Sequence, residues 1–201
     1  MLTKRSTWLL GIVAIAALLS FACGENASTD TPEASVTPAR TDTPQTTSAL
    51  TVDDLRNGTY SSDASETGTV TLVDGHFEGD STATGTGSPL SVWIGDEIGF
   101  GDLNGDGVDD AAVTLVTNTG GSGSFGQLVV VVNEGGEPSP NASASLGDRV
   151  IVEAIRIAEL EIEIDLVVHG PSDPLCCPSM SVTRIYILEG SNLILLEELP
   201  G

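Results

Sequence analysis

The sequence predicts an all-β domain, built as an antiparallel sandwich or an open barrel of about nine to eleven short strands. Ile162, Ile164 and Leu166 alternate with acidic residues, which is the period of a strand with one buried and one solvated face. Other segments are rich in β-branched residues and are separated by Gly, Asp, Asn and Ser. No stretch combines sustained helical spacing with helix caps. These three observations favour an all-β fold over a mixed one.

The individual strands follow from the same patterns. Residues 69–78 predict a hairpin with a two-residue Asp-Gly turn, which would place Leu72 opposite Phe77. The apolar run of residues 128–132 suits a buried central strand. Further strands are expected at residues 90–98, 111–117, 150–157, 161–168, 182–188 and 193–196. Of these, we expect 150–157 to pair with 161–168, and 182–188 to form a hairpin with 193–196.

The first 22 residues predict an export signal. Lys4 and Arg5 precede an apolar run of 15 residues, which is shorter than the roughly 20 that a membrane-spanning helix needs. The run ends in Ala22-Cys23 and resembles a bacterial lipobox, which implies that Cys23 carries a lipid and begins the mature chain. The expected location is the cell envelope, on the outer face of a bacterial membrane. The alternative is an ordinary signal and a secreted protein.

The predicted organisation is a signal peptide (1–22), a tether (23–50) and a single domain (51–201). The tether is rich in Thr, Ser and Pro and has no aromatic residue, so it cannot bury enough apolar surface to fold. The chain has 7 basic and 29 acidic residues and a net charge of −22. This charge excludes nucleic acid as a partner, because phosphate contacts require Lys and Arg. We expect a monomer attached to the membrane through the lipid on Cys23.

The run from Gly101 to Asp110 is the most informative stretch. Oxygen-bearing side chains stand at positions 1, 3, 5 and 9 of a loop, and the Gly expected at position 6 is present. This spacing predicts a Ca²⁺ site with Asp102, Asn104, Asp106 and Asp110 as side-chain ligands and Val108 giving its backbone carbonyl. The alternative is an acidic turn without metal, in which these groups would repel one another.

The loop resembles the calcium loop of the FG-GAP repeats of integrin-type propellers. The resemblance covers residues 100–114, from Phe100-Gly101 through Gly-Asp-Leu-Asn-Gly-Asp-Gly into an apolar strand. It is closer than the resemblance to an EF-hand, since Val113 stands where an EF-hand has Glu and strand residues follow. A propeller needs several repeats and this chain has one, so the resemblance implies a calcium loop and not a propeller.

Cys176 and Cys177 form the second unusual pattern. In an exported protein they would form a disulfide if geometry allows, although Cα atoms of neighbours lie about 3.8 Å apart, closer than in most disulfides. The other interpretations are a thiol pair for a soft metal or redox chemistry, and two small buried residues. His169, Ser172 and Asp173 precede them, so residues 169–177 could belong to an envelope hydrolase or redox enzyme.

The domain also resembles a group of bacterial exported proteins to which no activity is assigned. The shared motifs include Asn-Gly-Thr-Tyr, the Gly-Asp-Leu-Asn-Gly-Asp-Gly loop and Asp-Pro-x-Cys-Cys-Pro. Together these observations favour a tethered domain with a structural calcium loop that binds a protein or glycan ligand, over an enzyme. An inhibitor or accessory subunit of an envelope complex is a third hypothesis.

Overall fold

The computed structural model of the chain describes residues 48–81 and 88–201. The predicted signal peptide, Cys23 and residues 23–47 of the predicted tether lie outside the described residues. No helix in the described part is both long and apolar enough to cross a membrane.

The described residues form one short helix and eleven strands. The helix α1 spans Val52–Arg56. The strands are β1 Thr59–Ser61, β2 Thr69–Thr71, β3 His76–Ser81, β4 Ser88–Gly101, β5 Asp110–Asn118, β6 Phe125–Glu134, β7 Glu137–Asp148, β8 Ile151–Ala158, β9 Glu161–Val168, β10 Met180–Glu189 and β11 Asn192–Pro200.

These strands form three antiparallel sheets, which confirms the predicted all-β class. A five-stranded sheet has the order β3-β4-β5-β6-β7, and a four-stranded sheet has the order β11-β10-β9-β8. A small sheet pairs β1 with β2. The strand β6, which contains the apolar run of residues 128–132, is hydrogen-bonded on both sides.

One hydrophobic core lies between the two larger sheets. Leu128 and Val130 of β6 belong to the same buried cluster as Ile162, Ile164 and Leu166 of β9. The last three are fully buried while the acids between them are not, as the alternation predicted. The two larger sheets therefore pack as a sandwich.

A second core covers the opposite face of the five-stranded sheet. It joins Val113 and Leu115 of β5 to Leu55 of α1, Tyr60 of β1 and Val70 of β2. Because β5 and β6 contribute side chains to both cores, most of their residues are buried on both faces of the sheet. This double burial explains why these two strands are almost continuously apolar instead of alternating.

Two hairpins of the four-stranded sheet are confirmed. β8 pairs with β9, and the turn between them places Glu159 and Leu160 at positive φ of 54° and 67°. β10 pairs with β11 across a turn at residues 190–191, as expected for this hairpin. Both hairpins connect neighbouring strands through two-residue turns, which is why local sequence patterns located them.

The predicted hairpin of residues 69–78 is wrong beyond its turn. Asp74 and Gly75 do form a tight turn, closed by a bridge between Val73 and His76. Beyond that bridge the strands separate, so the predicted Leu72–Phe77 pair does not form: β2 pairs with β1, and β3 pairs with β4. Both strands still contribute to the second core, so packing on the five-stranded sheet overrides local pairing.

Three elements were not predicted: the helix α1 and the strands β1 and β7. The helix α1 is only five residues long, too short for a periodic pattern, but Thr51 and Asp54 form a complete capping box at its start. The strand β7 is polar and contains Pro138 and Pro140. It forms the edge of the five-stranded sheet, where proline is tolerated because one side of the strand needs no ladder hydrogen bond.

Candidate metal centre and cysteine loop

The predicted metal site lies between β4 and β5, in residues 102–109, which we call the metal loop. Antiparallel pairing of Gly101 with Asp110 closes its base. Gly105 and Gly107 adopt positive φ of 80° and 83°. Glycine reaches this region without steric cost, so these two positions let the loop turn sharply between adjacent strands.

The carboxylate of Asp102 is the centre around which the metal loop folds. Its Oδ1 accepts the backbone N–H groups of Asn104 at 3.2 Å and Gly105 at 2.6 Å, and its Oδ2 accepts that of Gly107 at 2.9 Å. The Gly107 bond contributes most to lowering the pKa of Asp102 below its ordinary value. The carboxylate is thus held in its charged form by the loop backbone.

Asn104 and Asp106 repeat this arrangement along the loop. Asn104 Oδ1 accepts the N–H of Asp106 at 2.9 Å, and Asp106 Oδ1 accepts the N–H of Val108 at 2.8 Å. The Asn104 amide also donates to Asp106 Oδ2 at 3.1 Å. Backbone N–H groups therefore offset the repulsion expected among the acidic side chains. The loop closes through its own hydrogen bonds.

Asp110 lies at the first position of β5 and is fully buried. Its Oδ2 accepts the N–H of Leu103 at 3.0 Å, and its Oδ1 accepts the N–H of Asn133 at 2.9 Å. Burial raises the pKa of this carboxyl above its ordinary value, against the effect of these two hydrogen bonds. In this geometry Asp110 fastens the metal loop to β6.

Asn133 is a site residue that sequence reasoning missed. It is buried, and its Nδ2 donates to the backbone oxygens of Ser48 at 3.0 Å and Asp109 at 3.3 Å. Its Oδ1 accepts the N–H of Gly136 at 2.7 Å. It therefore joins the metal loop to the β6–β7 turn. The sequence signal was an Asn ending an apolar run just before Gly135-Gly136.

The metal loop offers the oxygen ligands that Ca²⁺ prefers, and it contains no Lys or Arg. Within residues 48–81 and 88–201, no three carboxylate, imidazole or thiolate groups are grouped so that they could hold a metal ion. A site here would instead combine Asp102 and Asp106 with the Asn104 amide, the Val108 carbonyl and water. Direct ligation by these residues, and by Asp110, stays a prediction.

The predicted cysteine pair lies in residues 169–179, which we call the cysteine loop. Asp173 closes this loop: its Oδ2 accepts the N–H groups of Gly170 and Ser179, both at 2.8 Å, and its Oδ1 accepts the Ser179 hydroxyl at 2.7 Å. The Gly170 bond contributes most to lowering the pKa of Asp173. These contacts join both ends of the loop.

Cys176 and Cys177 form a disulfide and are both exposed. Of the three interpretations left open by the sequence, the structure contains the bond between neighbours. His169 has a buried Nε2 with no hydrogen-bond partner in the described part of the chain. Asp173 bonds to Gly170 and Ser179, and in the described part of the chain no serine hydroxyl donates to His169 Nε2.

No family model, curated protein or solved structure matches this chain. The resemblance of the metal loop to FG-GAP repeats therefore depends on the residues of that segment alone.

A groove of about 520 Å³ adjoins the metal loop. The loop supplies one wall, and the β8–β9 turn and the β10–β11 hairpin supply the others. Its lining combines apolar side chains with two carboxylates and no cationic side chain: Leu103, Asn104, Glu159, Leu160, Glu161, Ile187, Leu188 and Gly190. This arrangement could hold a ligand that is partly apolar and partly cationic or rich in hydroxyl groups.

Proposed function

We propose that this chain is an extracytoplasmic binding domain, tethered to a bacterial membrane by a lipid on Cys23, in which the metal loop holds a structural Ca²⁺. The observation that carries the calcium proposal is the arrangement of the metal loop itself. Asp102, Asn104 and Asp106 are already turned toward the loop backbone by hydrogen bonds, so little ordering entropy opposes ion binding.

The roles of the residues follow from their environments. Asp102, Asn104 and Asp106 give side-chain oxygens and Val108 gives its carbonyl, while waters complete the six to eight oxygens that Ca²⁺ takes. Asp110 keeps the loop attached to β6 through Asn133 and is available as a further ligand. With so few carboxylates we expect a dissociation constant of about 10⁻⁴ to 10⁻³ M, as in extracellular calcium modules.

The binding role is supported by the groove beside the metal loop. Leu103 and Asn104 belong both to the loop and to the groove, so an ion that rigidifies the loop would also rigidify one wall of the groove. The ligand is a protein or a glycan. The strongly negative chain would repel a second copy of itself, which favours a monomer.

The calcium proposal is tested by the melting temperature of the chain carrying Cys23→Ser, in EDTA and in Ca²⁺ at ten times the dissociation constant. Binding should add about 1.4 kcal/mol, which raises the melting temperature by about 4 °C for a domain of this size. Mg²⁺ at the same concentration should give a smaller shift, because it requires a tighter octahedral site.

The matched variants are Asp106→Ala and Asp109→Ala, which remove the same charge from neighbouring positions. Both residues are exposed, but the side chain of Asp106 accepts the N–H of Val108 and is a predicted ligand, whereas Asp109 is not a predicted ligand. The difference between EDTA and Ca²⁺ should disappear in Asp106→Ala and remain in Asp109→Ala. Equal shifts in both variants, or none in the parent, would contradict a calcium site here.

The tether is tested by fractionating bacterial cells that express the chain or its Cys23→Ala variant. If Cys23 carries the lipid, the parent should be found with membranes and the variant in the soluble extracytoplasmic fraction. Recovery of both proteins in the soluble fraction would show that the chain is secreted without a lipid anchor. The calcium proposal would be unaffected.

A further inference from the structure

The disulfide of the cysteine loop does not stabilise the fold by linking distant parts of the chain. It joins residues that are adjacent in sequence. A disulfide stabilises a fold mainly by restricting the unfolded chain, and this effect grows with the number of residues that the bond encloses. Because Cys176 and Cys177 enclose no other residue, the bond contributes almost nothing of this kind.

The conformation of the loop also has a support other than the disulfide. The three hydrogen bonds accepted by Asp173 join Gly170 to Ser179, and both cysteines lie inside the segment that these bonds close. Within that segment the N–H of Cys177 donates to the Pro174 carbonyl at 3.0 Å. Opening the S–S bond therefore leaves the ends of the loop in place.

The bond is open to attack by another molecule. Both cysteines are exposed, and the preceding Leu175 is 81% exposed, so the tip of the loop projects into solvent. Thiol–disulfide exchange requires a thiolate to approach one sulfur of the disulfide, and exposed disulfides with little structural role are the labile ones. The described residues contain no third cysteine that could trap the opened pair.

From these three observations we propose that Cys176 and Cys177 form a reversible two-electron thiol–disulfide exchange site whose reaction partner is a dithiol, extracytoplasmic if the chain is exported as proposed above. One thiolate of the partner attacks a sulfur of the pair and forms a mixed disulfide, releasing the other cysteine as a thiolate that takes a proton. The second thiol of the partner then resolves the mixed disulfide. The partner leaves as its own disulfide, and Cys176 and Cys177 are left as two thiols.

This proposal does not depend on the calcium site, since the metal loop contributes no residue to it. The reaction makes the loop a point where the chain accepts electrons from a dithiol or returns them to a disulfide. In the reduced state the two neighbouring thiols would be free to move, while Asp173 continues to hold the loop base.

The experiment uses the chain carrying Cys23→Ser, so that Cys176 and Cys177 are the only cysteines. The native protein is equilibrated with mixtures of reduced and oxidised dithiothreitol, trapped with N-ethylmaleimide and weighed by mass spectrometry. We expect both cysteines to be labelled together, with no singly labelled form at equilibrium, and full return to the disulfide in oxidised dithiothreitol. The melting temperature of the reduced form should lie within about 2 °C of the oxidised form.

The single variants Cys176→Ser and Cys177→Ser serve as controls. Each should be labelled once without any reductant and should melt at the parent temperature, because the fold does not need the bond. Labelling of the parent that begins only at urea concentrations where the protein unfolds would overturn the proposal. So would a reduced protein that fails to re-form the disulfide, or a large loss of stability in either single variant.

Discussion

The metal loop and the cysteine loop are each fastened by an aspartate that accepts backbone N–H groups, but the two aspartates differ in burial. Asp110 is fully buried and bonds to Leu103 and Asn133. Asp173 is partly exposed and bonds to Gly170 and Ser179. The pKa of Asp110 is raised, with burial as the main cause, whereas the pKa of Asp173 is lowered by its hydrogen bonds.

The two aspartates therefore contribute to stability with opposite pH dependence. A raised folded-state pKa means that the contribution of Asp110 to stability is complete at low pH and falls as pH rises through that pKa. For Asp173, whose folded-state pKa is lowered, the contribution to stability is complete at higher pH and is lost as pH falls through that pKa. This difference matches the positions of the two residues. Asp110 attaches the metal loop to the buried interior of the domain, whereas Asp173 closes the cysteine loop at the surface.

The largest expected effect comes from removing the buried carboxylate in Asp110→Ala. The N–H groups of Leu103 and Asn133 would lose their acceptor inside the protein, at about 1–3 kcal/mol each. We expect the free energy of unfolding to fall by about 3 kcal/mol, as measured by urea denaturation in EDTA.

The control for this loss is Asp109→Ala, which removes the same charge from the exposed neighbour. A surface change of this kind should alter stability by less than about 0.5 kcal/mol. Similar losses of stability in the two variants would show that the hydrogen bonds of Asp110 to Leu103 and Asn133 are not what stabilises this region.

The elements that sequence reasoning located are those whose determinants are close together in the chain. The β8–β9 and β10–β11 hairpins follow from local alternation and short turns. The turn at Asp74-Gly75 was also predicted, but the separation of β2 from β3 was not, because it depends on packing against the five-stranded sheet. The polar edge strand β7 gave no hydrophobic pattern to detect.

The same distinction holds for the candidate site. The spacing of Asp102, Asn104 and Asp106 is local, so the loop could be located from the sequence. The bond between Asp110 and Asn133 joins positions 23 apart in sequence, and no short motif records it. The contacts of Asp173 with Ser179 were not predicted, because Asp173 was grouped with His169 and Ser172, which are closer to it in sequence.

A smaller effect is expected from Gly107→Ala in the metal loop. Gly107 has a φ of 83°, and no atom lies within 4 Å of the position that a Cβ would take, so the change adds backbone strain without a collision. Left-handed backbone costs a residue with a side chain about 1–2 kcal/mol, and we expect a loss near 1 kcal/mol by urea denaturation.

The corresponding change in the cysteine loop is Gly170→Ala. Its φ is not in the left-handed region, and the added Cβ would meet Asp173 at an ordinary contact distance of 3.5 Å. This variant should keep the parent stability. If Gly170→Ala lost as much stability as Gly107→Ala, strain at a left-handed backbone position would not explain the loss in the metal loop.

The smallest effect concerns the pH dependence of Asp173→Asn. Because the folded-state pKa of Asp173 is lowered from 3.8, its charged form stabilises the native state above that value and the contribution is lost as pH falls through the folded pKa. Unfolding by urea should therefore show the parent more stable than the variant near neutral pH, with the difference disappearing in acid. Ser179→Ala removes one donor to the carboxylate, which should move the folded-state pKa of Asp173 back toward its ordinary value. In that variant the stability contributed by the charged carboxylate should be lost at a higher pH than in the parent. A difference that stays constant with pH, or that grows in acid, would mean that the Asp173 carboxylate does not close the cysteine loop through its charge.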